Sequence, residues 1–144
     1  MLIGEYTHTI DDKNRLSFPS KFRKEMGKTV VVTHGLDNCL FVFTTKEWEK
    51  FAQEVTTFSL LKKDNRSFNR YFLGGAVEVP LDTLGRLLLP DFLKQKVGIT
   101  NKVCIVGVHS RVELWSEESW RSYKASVESG ADELSEKLSN LGVL

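Results

Sequence analysis

An internal repeat with a nearly constant offset constrains the fold of this chain more than any other feature. Residues 11–19 recur as residues 82–90, with Asp11 matching Asp82 and Arg15 matching Arg86 at an offset of 71 positions. The same offset also matches Ile10 with Leu81, Phe22 with Leu93 and Gly27 with Gly98. A fixed period indicates one supersecondary unit that is used twice. Because a copy of about 50 residues can bury little core alone, we expect the two copies to fold together.

Each copy predicts the order strand, loop, strand, short helix, strand, turn and strand. Residues 6–10 and 76–81 alternate in the way that is typical of strands, and a polar loop follows each of them. Asn14 and Gly85 occupy matched positions near the end of these loops. Gly and Asn tolerate a positive φ best, so both positions are expected to share one left-handed geometry. Pro19 and Pro90 predict the first position of a short helix in each copy.

The charged and polar residues of the repeated motif lie in two loops, residues 11–15 (the first loop) and 82–86 (the second loop). Asp11 and Asp82 are turn formers, since an Asp carboxylate accepts a backbone N–H two residues further on. Arg15 and Arg86 end the two loops. An Arg guanidinium fits a phosphate or the O6/N7 edge of guanine. Each Arg could equally pair with the Asp of its own loop and only stabilise the hairpin, so both interpretations stay open on the residues alone.

Helical patterns follow each copy and suggest a division of the chain. Residues 62–73 predict a connecting helix that carries Arg66 and Arg70, for which a subunit contact or a salt bridge is favoured over DNA. The tail, residues 131–141, predicts an amphipathic helix. We therefore expect a first repeat at 1–52, a helical connector at 53–74, a second repeat at 75–125 and an amphipathic C-terminal helix at 126–144.

The composition and the lack of known motifs argue against a secreted, membrane-spanning, metal-binding or catalytic protein. The net charge of +1 is too small to indicate nucleic-acid binding without a local concentration of charge. Cys39 and Cys104 lack metal-ligand spacing and are expected to be core residues in a reducing compartment. No signal peptide, membrane span, catalytic triad or nucleotide-binding motif is recognisable. We expect a cytoplasmic protein that is not an enzyme and has no metal or cofactor.

The sequence resembles the MraZ family of bacterial proteins from Met1 to about residue 125. The resemblance depends on the two Asp-x-x-(Gly/Asn)-Arg loops at this spacing, the Trp-bearing flanks, and further segments at residues 4–6, 19–23, 35–40, 66–75, 106–107 and 112–115. A single such loop would be a weak signal, whereas two at this spacing are specific.

The resemblance implies an α+β fold in which two AbrB/SpoVT-like swapped-hairpin units of one chain form a pseudo-dimeric small β-barrel with flanking helices. It implies a transcriptional regulator of the division and cell-wall gene cluster that binds direct repeats upstream of its own operon. Such a regulator is nucleoid-associated and assembles as a ring homo-oligomer, an octamer or a dodecamer. The alternative is a ring-forming protein–protein interaction module without a DNA function.

Carried onto this chain, the resemblance assigns Arg15 and Arg86 to DNA, with Lys13 and the backbone around Asn14 and Gly85 in support. Asn14 departs from the glycine that is usual in the family, and its side chain could obstruct a phosphate or donate to it. The position that matches Lys13 in the second loop is leucine. We therefore expect the first loop to contribute more of the affinity for DNA.

Overall fold

The computed structural model describes residues 1–143, and its elements follow the predicted order in both repeats. The first repeat contains β1 (Ile3–Thr9), β2 (Arg15–Ser17), α1 (Ser20–Met26), β3 (Thr29–His34) and β4 (Leu40–Thr44), followed by α2 (Thr45–Thr56) and α3 (Lys63–Phe72). The second contains β5 (Val77–Pro80), β6 (Arg86–Leu88), α4 (Asp91–Lys96), β7 (Lys102–Val108) and β8 (Val112–Ser116), followed by α5 (Glu117–Ser129) and α6 (Ala131–Asn140).

Strands are exchanged between the two repeats. One antiparallel sheet has the order β1-β7-β8-β4-β3-β5, so the first strand of each repeat pairs with the other repeat. β1 pairs with β7 along its whole length, from Ile3 opposite Val108 to Thr9 opposite Lys102. β2 and β6 pair only with each other and form a separate two-stranded ribbon. The predicted α+β fold with swapped hairpins and internal pseudo-dimer geometry is thereby confirmed.

The main core lies between the six-stranded sheet, the ribbon and the short helices α1 and α4. Leu16 and Leu87 enter it from the ribbon, and Phe22 and Leu93 enter it from matched positions of the two short helices. All four side chains are fully buried. Since both repeats supply equivalent side chains to one core, neither repeat has a complete core of its own.

A second, aromatic cluster attaches the longer helices to the opposite face of the sheet. The cluster contains Phe41, Phe43, Phe72 and Trp115, with Trp48, Phe51 and Trp120 packed against it. Matched caps begin two of these helices. The Thr44 hydroxyl accepts from the Glu47 N–H at 3.2 Å, and the Ser116 hydroxyl accepts from the Ser119 N–H at 3.1 Å.

Two details of the helices differ from or extend the sequence-based expectations. Pro19 and Pro90 stand at the N-cap positions of α1 and α4 and not at the first helical position. Helix α6 follows Gly130 as expected, and none of its residues is buried within the described chain. Among residues 1–143, no helix is both long and apolar enough to cross a membrane.

Candidate nucleic-acid interface

The two loops have the same backbone geometry, and the Asp side chain organises each of them. Asp11 Oδ1 accepts the N–H groups of Lys13 at 2.9 Å and of Arg15 at 2.8 Å. In the second loop, Asp82 Oδ1 accepts the N–H groups of Leu84 at 2.9 Å and of Arg86 at 2.8 Å. Each carboxylate thus closes its own turn, in agreement with the expected turn chemistry.

Asn14 and Gly85 share the left-handed conformation that the sequence predicts. Their φ values are 61° and 73°. In both loops the N–H of this residue donates to the carbonyl oxygen of the loop Asp, at 3.1 Å for Asn14 and 2.9 Å for Gly85. Asn is one of the few residues with a Cβ that adopts this geometry readily, so the first loop keeps its shape despite the substitution.

Each loop arginine is paired with the aspartate of its own loop. The Nε of Arg15 donates to Asp11 Oδ2 at 2.7 Å, and the Nε of Arg86 donates to Asp82 Oδ2 at 2.7 Å. The Arg–Asp ion pairs that the hairpin-stabilising interpretation requires are therefore present. They do not exclude a ligand, because the two arginine side chains remain 35% and 28% exposed and only Nε is used. The ion pair fixes the guanidinium and leaves the two Nη groups as donors.

The same contacts perturb the aspartates. The pKa of Asp11 lies below its usual value, chiefly because the Arg15 N–H donates to the carboxylate, with further contributions from the Arg15 side chain and the Lys13 N–H. The pKa of Asp82 is lowered in the same way by the N–H and the side chain of Arg86 and by the Leu84 N–H. Both groups are therefore ionised at neutral pH and hold the loops in place.

The arginines lie on the outward face of the ribbon formed by β2 and β6. In its register Arg15 is opposite Leu88 and Ser17 is opposite Arg86, with Leu16 opposite Leu87 between them. Alternation directs the two central leucines into the core and the other four side chains outward. This register makes Arg15 and Arg86 diagonal neighbours, and the Cα atoms of such neighbours are typically roughly 7–8 Å apart.

Each loop also contacts the short helix of the other repeat, which the sequence did not predict. Asn14 Oδ1 accepts from Lys94 Nζ at 2.8 Å, and Asn14 Nδ2 donates to Asp91 Oδ1 at 3.3 Å. At the second loop, a Cβ on Gly85 would lie 3.2 Å from Arg23 Cδ. Arg23 and Lys94 are matched at the offset of 71, so the repeat itself was the signal that could have identified them as a pair.

Other residues that drew notice in the sequence lie outside this site. Arg66 donates through Nη1 to the carbonyl oxygens of Leu60 and Leu61, so it stabilises the turn before α3. It forms no salt bridge within residues 1–143, and a subunit contact, the other expectation for it, remains a prediction. Cys39 and Cys104 are free and buried, and burial raises the pKa of both thiols. Within residues 1–143, no group of three or more His, Cys, Asp or Glu side chains could hold a metal ion.

Comparison with known proteins agrees with this architecture. A family model described as "MraZ protein, putative antitoxin-like" matches residues 1–71 and again residues 72–140. The chain belongs to the MraZ family. The two matches meet at the repeat offset and reach beyond residue 125, where the sequence resemblance was expected to end. The finer division into repeats, connector and tail remains a prediction.

Relatives that bear the name "Transcriptional regulator MraZ" match over nearly the whole chain. The protein of Caldanaerobacter subterraneus subsp. tengcongensis is 46% identical over 143 residues, which cover 99% of this chain and 100% of the relative. The protein of Syntrophomonas wolfei is 42% identical over the same length and the same shares. These MraZ relatives are named as regulators and not as enzymes, which agrees with the expectation that this chain is not an enzyme.

Proposed function

We propose that this MraZ-family chain is a sequence-specific DNA-binding transcriptional regulator whose contact surface is the outward face of the β2–β6 ribbon. The observation that carries the proposal is the pair of partly exposed arginine side chains, Arg15 and Arg86, that Asp11 and Asp82 hold on that face. A two-stranded ribbon fits the major groove of B-DNA. The full-length relatives named as transcriptional regulators support the proposal.

The spacing of the two arginines suits a duplex. The Cα spacing that is typical of diagonal neighbours, roughly 7–8 Å, is close to two base steps of about 3.4 Å each. Each guanidinium is fixed through Nε, so little side-chain entropy is lost when its Nη groups bind a phosphate or a guanine edge. Lys13, exposed on the first loop, and the backbone at Asn14 and Gly85 support these contacts.

Self-association supplies the affinity that one near-neutral chain lacks. We propose a ring homo-oligomer, an octamer or a dodecamer, that binds direct repeats upstream of its own operon in the division and cell-wall cluster and is associated with the nucleoid. Leu60 and Leu61, in the turn between α2 and α3, are 72% and 89% exposed. Apolar side chains that are exposed next to each other can form part of a contiguous apolar patch, and such patches mark surfaces that another protein covers. Several weak contacts on one duplex then add up to useful affinity.

The test is binding of the intact protein to its own upstream DNA and to a random duplex of equal length, over a series of salt concentrations. We expect Arg15→Ala and Arg86→Ala each to lower the affinity for the native DNA by roughly 5- to 150-fold, the range for one good base contact. Arg121→Ala, which removes an exposed arginine on α5, is the matched control and should have little effect.

Equal and weak binding of both duplexes, unchanged by the two loop substitutions, would contradict the proposal. The arginines would then serve only to stabilise the hairpins. The exposed apolar turn would favour the alternative function, a ring-forming module that binds another protein. The mass of the assembly, measured by light scattering on the same samples, shows whether the ring forms in either case.

A further inference from the structure

The two loops differ most in what the short helix of the other repeat presents to them. Lys94 on α4 faces the first loop, and Arg23 on α1 faces the second loop, at matched positions of the repeat. Lys94 is half-buried, whereas Arg23 is exposed. The pseudo-twofold symmetry is therefore broken where basic side chains approach the loops.

Asn14 is the cause of this difference at the first loop. Its side chain lies between the loop and α4, where its Oδ1 accepts from Lys94 Nζ and its Nδ2 donates to Asp91. The lysine is thus tethered to a neutral partner beside a carboxylate, and its charge is less available to a phosphate. Gln95 also donates to Asp91, at 2.6 Å, and keeps that carboxylate in position.

The second loop has no side chain at the matched position, so Arg23 covers Gly85 directly. The Nε of Arg23 donates to the Phe18 carbonyl oxygen at 3.0 Å, which fixes the guanidinium. Its Nη atoms make no hydrogen bond within residues 1–143. Beside them lies an open cleft of about 460 Å³ that Lys28 and the second loop also line. The residue that matches Lys28 in the other repeat is Ile99, which is buried.

The balance of charge follows the same asymmetry. The first loop, with the helix positions 91, 94 and 95, contains three acidic and three basic side chains: Asp11, Asp12, Asp91, Lys13, Arg15 and Lys94. The second loop, with the matched positions 20, 23 and 24, contains one acidic and three basic side chains: Asp82, Arg23, Lys24 and Arg86. Lys28 adds a further positive charge at the second loop only. A phosphate backbone is attracted to the more positive half.

We propose that the second loop and α1 form the principal phosphate-binding half of the DNA surface, with Arg23 in direct contact with a phosphate. In the other half, which the first loop and α4 form, the hydrogen bond to Asn14 keeps Lys94 from the same role. This inference rests on the proposed function and reverses the expectation that the first loop, because of Lys13, contributes more affinity. The two loops alone have the same net charge, because Asp12 offsets Lys13 in the first loop, so the difference in charge between the halves comes from the helices that the fold sets against them.

The experiment compares Arg23→Ala with Lys94→Ala, two truncations of matched basic residues. Affinity for the native upstream DNA is measured over a salt series, because each lost phosphate contact makes the slope of log K against log salt shallower by about 0.9. We expect Arg23→Ala to make the slope shallower by about one contact and to weaken binding several-fold. Lys94→Ala should leave the slope nearly unchanged.

Two further variants separate charge from folding and test the role of Asn14. Arg23→Gln removes the charge but keeps an amide donor for Phe18, and it should behave like Arg23→Ala. Asn14→Gly releases Lys94, so Lys94→Ala made in that background should make the slope shallower by about one contact. If Lys94→Ala remains without effect in the Asn14→Gly background, the role assigned to Asn14 is overturned.

The outcomes distinguish this inference from the proposed function. If the wild-type protein shows no salt-dependent binding to the native duplex, the proposed function fails and the inference fails with it. If the wild type binds but Arg23→Ala and Lys94→Ala change the slope equally, or Lys94→Ala changes it more, only the inference is overturned. Thermal unfolding of every variant shows whether a change in binding reflects the loss of the fold.

Discussion

Truncation of the central leucines of the β2–β6 ribbon is the perturbation that most directly tests how this ribbon is attached to the core. Leu16 and Leu87 are opposite each other in the ribbon register and are 0% exposed. A Leu→Ala change removes three carbon atoms from such a site. The transfer term alone is about 2.4 kcal/mol, at roughly 0.8 kcal/mol for each buried carbon.

The cavity that remains adds to this cost. Leu→Ala changes in well-packed cores cost roughly 2–5 kcal/mol in total, and we expect about 3 kcal/mol for either leucine here. For a chain of this length, a loss of 1 kcal/mol lowers the melting temperature by about 2–4 °C. Each variant should therefore melt about 6–12 °C below the wild type.

The assay is thermal unfolding followed by circular dichroism, with all samples at one protein concentration because assembly shifts the melting temperature. Leu88→Ala is the matched control, since Leu88 is the next residue on the same strand and is 57% exposed. Its effect should be within about 0.5 kcal/mol. The double variant at Leu16 and Leu87 should lose less stability than the sum of the single changes, because the two side chains share a contact. Losses below about 1 kcal/mol at both buried positions would refute the assigned packing.

Two further predictions concern a close backbone approach and the loop carboxylates. A Cβ on Gly75 would lie within van der Waals overlap of the His34 ring, so Gly75→Ala should lower the melting temperature by several degrees, whereas Gly130→Ala, with its nearest neighbour atom at 3.7 Å, should not. The pKa of Asp11 and of Asp82 is lower in the folded chain than in the unfolded chain, so the unfolded state binds more protons. The two carboxylates therefore stabilise the fold at pH values above their unfolded pKa of about 4. This stabilisation is lost as the pH falls through their pKa in the folded chain. Changing both residues to Asn should flatten the dependence of the melting temperature on pH between about 3 and 5; an unchanged pH profile would show that the loop contacts are not the cause of the shift.

Most of the local structure could be predicted from the sequence because its signals are local. Positive φ at Asn14 and Gly85 follows from residue type, and both values are confirmed. The Asp-centred turns also depend on a few neighbouring residues and are present as predicted. The order of strands and helices follows from the alternation and the helix boundaries.

The contacts between the two repeats could not be predicted from local sequence patterns. Strand exchange between the repeats was expected only because the family resemblance implies swapped hairpins, and the structure was needed to show that β2 pairs with β6 and β1 with β7. The hydrogen bond from Lys94 to Asn14 joins residues 80 positions apart, and no local signal indicates it. The place of Arg23 over Gly85 likewise has no local signal and required the fold.

The sequence by itself determined the repeat, the two turns and the side chains that they present, because each depends on chemistry within a few residues of the chain. Only the tertiary structure decided which helix lies against which loop, and hence how charge is divided between the two halves. The physical reason is that strand exchange sets α4 beside the first loop and α1 beside the second. A single difference in side chain, Asn14 against Gly85, then tethers one basic residue and leaves its counterpart exposed.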